Sequence, residues 1–208
     1  MSKIITIGRQ FGSGGREIGK RLAEELGIAY YDNEIVNAIV KHSNLAEEYV
    51  NQVLENKIIN YFPITVSHTF SVVQYSHINY TNQIYEAQNE AIKELAERSD
   101  CVIVGRCADY ILREKNPFRI FVYADMESKT ARCIEKGEAG EDFSEKALRR
   151  KIRNIDRRRA GYYEFFTGLK WGDKENYDLC INSTNVQIKN LTKSIADYCR
   201  VYFEGKKV

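Results

Sequence analysis

The stretch that decides the fold is IITIGRQFGSGGREIGKRLAEELG, Ile4 to Gly27. Ile4 to Ile7 is a β-branched run closed by Gly8, and beyond the glycine-rich turn Ile18, Leu22 and Leu26 take up helical spacing until Gly27 stops the helix. The order is strand, loop, helix, with four glycines (Gly8, Gly12, Gly14, Gly15) inside eight residues. A helix that opens directly after such a loop offers free N–H groups and the positive end of its dipole to an anion.

The loop departs from the strict phosphate-binding pattern G-x-x-x-x-G-K-[ST], in which glycines let the backbone close round phosphate, the lysine neutralises it and the hydroxyl reaches Mg²⁺. With Gly14 as the second glycine, Arg9 stands at the first, Gly15 at the lysine and Arg16 at the hydroxyl position. A Gly14 to Lys20 register satisfies the spacing, but it ends in Arg21 and puts its lysine well inside the helix. The dinucleotide fingerprint G-x-G-x-x-G fails at Glu17. Taken alone, the loop is compatible both with an ordinary glycine-rich β–α turn and with a phosphate site, for which Gly12, Ser13, Gly14, Gly15, Arg16 and Glu17 are the candidate residues and Arg16 the candidate cation.

Outward from the loop, Ile28–Tyr31 reads as a second short strand ending at Asp32, a residue that also suits a helix cap. Helical patterns follow to about Lys57. The period fails over 58–81, where Tyr61, Phe62, Phe70, Tyr75 and Tyr80 gather with His68 and His77. We read that stretch as an insert with a partly exposed aromatic surface, since no ligand spacing supports a metal. Helical phase resumes at Ile84; CVIVG at 101–105 and Phe118–Tyr123 are strands; Glu127–Lys136 and Phe143–Tyr163 are helices; Tyr177–Ile181 is a last strand and Val186–Tyr202 a closing amphipathic helix. Alternating strands and helices predict a parallel sheet of about five strands covered on both faces, with ligand groups at the carboxyl ends of the strands.

The chain has 208 residues, consistent with one α/β domain, and 31 Lys+Arg against 29 Asp+Glu leave a net charge of only +2. That excludes a generic polyanion binder and makes local clustering decisive. The cluster is RRKIRNIDRRR, Arg149 to Arg159, whose spacing aligns Arg149, Arg153 and Arg157 on one helix face. A polyanion ligand and a solvated face balanced by glutamates both explain it; nucleic acid fits less well, because basic-aromatic elements are not repeated elsewhere. Five cysteines, widely spaced and without C-x-x-C, argue against a disulfide framework and a zinc site. No signal-peptide pattern and no apolar run of membrane-spanning length is present, so a cytoplasmic protein is expected.

Taken in order, ITIGRQFGSGGREIGKRLAEELG, YYD, CVIVGRCADYIL, RIFVYAD, the arginine-rich helix and YDLCINST resemble the cytidylate kinase-like family, within the nucleoside monophosphate kinases. The resemblance implies a P-loop kinase-like three-layer α/β/α domain over 1–208, with a helical acceptor-binding insert near 33–98 and an arginine-bearing lid near 137–172. It implies ATP and Mg²⁺, phosphoryl transfer to a nucleoside monophosphate and a cytidylate-like acceptor. Asp32 matches the acidic residue that faces the acceptor, Arg106 an acceptor-phosphate ligand, and Asp156 with Arg159 the Asp-x-x-Arg of the lid helix. Arg153 stands one position from a further lid arginine. Arg16, Arg106, Arg153 and Arg159 are thus the candidate catalytic cations, and Asp32, Arg106, Asp156 and Arg159 the candidate acceptor residues. Cytidylate kinases carry Gly-Lys-Gly-Thr where this chain has Gly14-Gly15-Arg16-Glu17, so Glu17 stands at the magnesium position. A non-catalytic nucleotide-binding protein of the same fold, or a kinase of another small acceptor, is the alternative.

Overall fold

A computed structural model describes residues 2–32, 73–136 and 144–205. Most of the aromatic stretch, with His68, and the tip of the expected lid at 137–143 lie outside the described residues.

The sheet has strands β1 (Ile4–Arg9), β2 (Ala29–Tyr31), β3 (Cys101–Val104), β4 (Phe118–Tyr123) and β5 (Leu179–Asn182) in the order β2-β3-β1-β4-β5. Every pairing is parallel, with Ile5 opposite both Val102 and Phe118. Between the strands run helices α1 (Gly15–Leu26), α2 (Val73–Arg98), the short α3 (Ala108–Ile111), α4 (Met126–Lys136) and α5 (Glu145–Thr167), and α6 (Ile188–Gly205) follows β5. This is the expected three-layer α/β/α arrangement.

The strand alternation sorts side chains into the two outer layers. Ile5, Ile7, Val102 and Val104 point to one face, where Ile18 and Leu22 of α1 and Ile195 and Ala196 of α6 close the core. Ile4, Cys101 and Ile103 point to the other, against Ile84, Ala91, Ile92 and Leu95 of α2 and Tyr163 of α5. Strands buried on both faces must read as continuous apolar runs, which is why CVIV carries no polar alternation.

Several boundaries moved, for local reasons. Helix α2 begins at Val73, so residues 73–81 extend a helix through a segment whose composition lacks the period. Helix α5 starts after Ser144, whose hydroxyl accepts from the Ala147 amide at 3.3 Å, and runs past Tyr163 to Thr167. It stops where left-handed Gly168 (φ 69°) returns its N–H to the Glu164 carbonyl.

The order of the strands fixes where the site falls. β1 is central, flanked by β3 and β4, and the chain leaves all three on the same side of the sheet. Gly8–Gly15, Gly105–Cys107 and Ala124–Asp125 therefore converge at one edge.

Candidate functional site

The loop after β1 is held from within and from three neighbouring elements. Gln10 donates its amide to the Val122 carbonyl at 2.9 Å, which keeps the chain in register with β4 for one residue beyond β1. Ser13 is fully buried; its hydroxyl donates to the Gln10 carbonyl at 2.8 Å, and its own carbonyl accepts from the Ser183 hydroxyl at 2.7 Å. Ser13 is thus a scaffold of the loop, turned away from solvent. At the helix start Gly14 is left-handed (φ 81°), and a Cβ there would stand 2.6 Å from Ile188 Cδ1. Only glycine combines that backbone angle with that closeness to α6.

The third support comes from α5. One Asp156 carboxylate oxygen accepts the Phe11 amide at 2.7 Å, and the other accepts from Lys129 Nζ at 3.1 Å; both side chains are largely buried. One turn on, Arg159 Nη1 donates to the Arg9 carbonyl at 3.2 Å, with its guanidinium carbon 5.7 Å from the Phe11 ring centre. The Asp-x-x-Arg spacing sets two groups on one helix face. Here that face clamps residues 9–11, so Asp156, expected beside the acceptor, instead fixes the loop.

Above the loop opens a cleft of about 1140 Å³, floored by the start of α1. Nine cationic and three acidic side chains line it among the described residues. Of the candidates read from the sequence, Gly12, Gly14, Gly15, Arg16, Glu17, Asp32, Arg106 and Arg159 share this cleft. Ser13, Arg153 and Asp156 do not line it. Arg153 is exposed on the flank of α5. Six helical residues separate it from Arg159, which is about 120° round the axis. The cleft face of α5 carries Lys151 instead. Arg149 is engaged by Glu145 at 2.8 Å and Glu127 at 3.0 Å, so part of the basic run is balanced by glutamates while another part faces the cleft.

Each candidate ion has its own geometry. Arg16 Nε lies 2.5 Å from Asp32 Oδ2, a carboxylate that raises the guanidinium's pKa and that also accepts from the Tyr30 hydroxyl at 3.3 Å. The expected phosphate cation and the expected acceptor-facing acid therefore hold each other. Glu17 accepts from Arg21 Nε at 2.9 Å and pairs with Lys136; burial pushes its carboxyl up, but these two cations outweigh that and hold it below the ordinary range. It is ionised at neutral pH, as a Mg²⁺ ligand must be, yet both its oxygens face cations. No group of three metal-ligating side chains occurs among the described residues. A single carboxylate suits a Mg²⁺ ion that arrives on substrate phosphates and keeps most of its water.

Arg106 sits in a strained turn. Gly105, Arg106 and Cys107 are successively left-handed (φ 78°, 63° and 55°), and the Arg106 carbonyl accepts from the buried Gln88 side chain at 2.8 Å. Two non-glycine residues in that region cost about 1–3 kcal/mol each and mark places where structure serves a site.

The sequence model of the cytidylate kinase-like family matches residues 4–185. The chain belongs to that family. Among solved structures, this cytidylate kinase-like protein is similar to an uncharacterized protein from Eubacterium ventriosum ATCC 27560, at 29% identity and a TM-score of 0.68, over 96% of this chain and 99% of that one. It also resembles the shikimate kinase from Acinetobacter baumannii in complex with shikimate, at 14% identity and a TM-score of 0.53, over 100% and 96% of the two chains. A shikimate kinase from Bacteroides thetaiotaomicron is similar at 13% identity and a TM-score of 0.52, over 94% and 97%. At such identities the likeness establishes the P-loop kinase fold. No curated protein matches the chain. No helix among the described residues is long and apolar enough to cross a membrane.

Sequence reasoning missed Arg9, Arg132, Lys136 and Lys151, all lining the cleft. Arg132 and Lys136 had a signal: they sit four apart on α4, hence on one face. Arg132 reaches the Gly12 carbonyl at 3.5 Å and the Val186 carbonyl at 3.4 Å, which ties α4 to the loop.

Proposed function

We propose that this protein transfers the γ-phosphoryl group of ATP to a nucleoside monophosphate, with a cytidylate-like acceptor favoured. The observation that carries the reading is the charge of the cleft: nine cations against three carboxylates, gathered over a helix N-terminus in a chain whose net charge is only +2. Phosphoryl transfer asks for positioning and for neutralisation of the charge that spreads over the transferred oxygens, and for little covalent chemistry from the protein.

In this reading the glycine loop Gly12–Gly15 lets the donor phosphates approach the first turn of α1, whose N–H groups helix geometry leaves without intrahelical acceptors. Arg159, on α5, and Arg106, after β3, both line the cleft and neutralise the transferring and acceptor phosphates. Arg16 and Asp32 act as a pair on the acceptor side, where the carboxylate orients the nucleotide and its bound guanidinium fixes the position of the carboxylate. Lys136 and Lys151, on α4 and α5, extend the positive wall over the triphosphate. Glu17 is the residue that would hold Mg²⁺, which when bound supplies Lewis-acid neutralisation of the phosphate oxygens.

A coupled assay of ADP formation with ATP and CMP, dCMP, UMP or AMP tests this. The expected outcome is acceptor-dependent turnover, fastest with the cytidine nucleotides. A second reading, a non-catalytic nucleotide-binding protein, draws on the ion pairs that already occupy Arg16 and Glu17. It predicts calorimetric binding of ATP with no acceptor-dependent ADP.

A further inference from the structure

We propose that Arg9, at the end of β1, is the phosphate-binding cation of this site and replaces the lysine that the loop lacks at Gly15, a role that rests on the nucleotide reading of the cleft. Two glycines outline the path of its side chain. A Cβ at Gly15 would stand 2.5 Å from Arg9 Cβ and 3.1 Å from its Cγ, so the stem of Arg9 fills the space from which a loop lysine would grow. A Cβ at Gly105 would stand 1.7 Å from Arg9 Nη1 and 2.8 Å from its Cζ, so the head group lies across the backbone at the end of β3. A lysine at position 15 and this course of Arg9 exclude each other. The glycine at position 15, which removes the loop lysine, is therefore what admits another cation to the same place.

What surrounds the guanidinium points the same way. Among the described residues its side chain makes no hydrogen bond or ion pair; the contact from Arg159 is to the Arg9 main-chain carbonyl. The charged groups that act on it are the cations Arg159 and Arg106, and Asp32, whose carboxylate is already held by Arg16. Burial, reinforced by Arg159 and Arg106, lowers the Arg9 pKa to about 9. A planar group with five N–H donors among like charges is relieved by a multiply charged anion with several acceptor oxygens, which is the chemistry of a polyphosphate.

Calorimetric titration of the full-length chain and its Arg9→Gln and Arg9→Lys variants with Mg·ATP, tripolyphosphate and AMP tests the assignment. The expected result is a loss of about ten-fold to a hundred-fold in ATP and tripolyphosphate affinity for R9Q, the range for a charge-assisted hydrogen bond, with a smaller loss for AMP and partial recovery in R9K. ATP affinity in R9Q within two-fold of wild type, or an equal loss for AMP and ATP, overturns it while leaving the nucleotide reading intact. A wild-type chain that binds neither ATP nor tripolyphosphate overturns both. Should R9Q not fold, phenylglyoxal modification of the wild-type chain with peptide mapping gives an independent readout. Mg·ATP and tripolyphosphate are expected to protect Arg9; no reaction at Arg9, or a rate indifferent to both, overturns the proposal.

Discussion

Asp109 illustrates how one side chain can be placed for packing at a cost in charge. It lies at the start of α3, buried against α5, and its carboxylate accepts the Tyr163 hydroxyl at 2.7 Å. Burial raises its pKa, with the Tyr163 hydrogen bond offsetting part of the rise. The unfolded chain titrates near pH ~3.9, so below that pH the protonated acid carries no penalty in either state. As pH rises toward the higher native value the unfolded state ionises first, and stability is lost through that interval. Asp109→Asn keeps an acceptor for Tyr163 and cannot ionise. Its melting temperature is expected to match wild type near pH 4 and to exceed it at pH 7, as measured by thermal denaturation across that range. A variant less stable than wild type at pH 7 would show that the charge itself is needed.

At the scale of elements the decisive contact is α5 on the first loop. Asp156→Ala removes the acceptor of the Phe11 amide and leaves the Lys129 ammonium, whose side chain is 6% exposed, with only the Gln10 side-chain oxygen at 3.2 Å among the described residues. Breaking a buried pair in this way costs about 3–5 kcal/mol. We expect that loss in the denaturant midpoint, with Asp156→Asn intermediate because an amide oxygen still receives Phe11. A residue that merely orients the acceptor would instead raise its KM and leave the midpoint unchanged. The sequence located α5 and its basic run but not which face does what. Arg153 and Arg159 look alike in one dimension and are separated by the helix rotation, while Asp156 turns inward because a loop amide and a buried lysine await it there. The aromatic composition of 58–81 likewise concealed that α2 already starts at Val73.

For the whole molecule, charge distribution matters more than its sum. The +2 of the chain conceals a cleft with six more cations than acids at the carboxyl edge of the sheet. A ligand that binds only the folded state raises apparent stability, by about 2.7 kcal/mol at a hundred times its Kd, or very roughly 5–10 °C in a domain of this size. Mg·ATP is expected to produce such a shift in thermal denaturation and to lose it as KCl is raised. A shift obtained only with long oligonucleotides, growing with their length, would favour a nucleic-acid surface over a mononucleotide site.

The sequence by itself determined the layers. Runs of apolar residues with period two or near 3.6 must bury themselves in one way, and the alternation of strands and helices leaves a parallel sheet with its loops at one edge. It also marked the glycine loop, because left-handed backbone and close packing against α6 exclude any side chain at Gly14. Only the tertiary structure decided the occupants of the site. Whether Arg16 meets phosphate or Asp32, and whether position 15 is empty or filled by Arg9, depends on residues far apart in the chain. Side-chain direction and close approach through space are set by packing, and a linear pattern does not encode them.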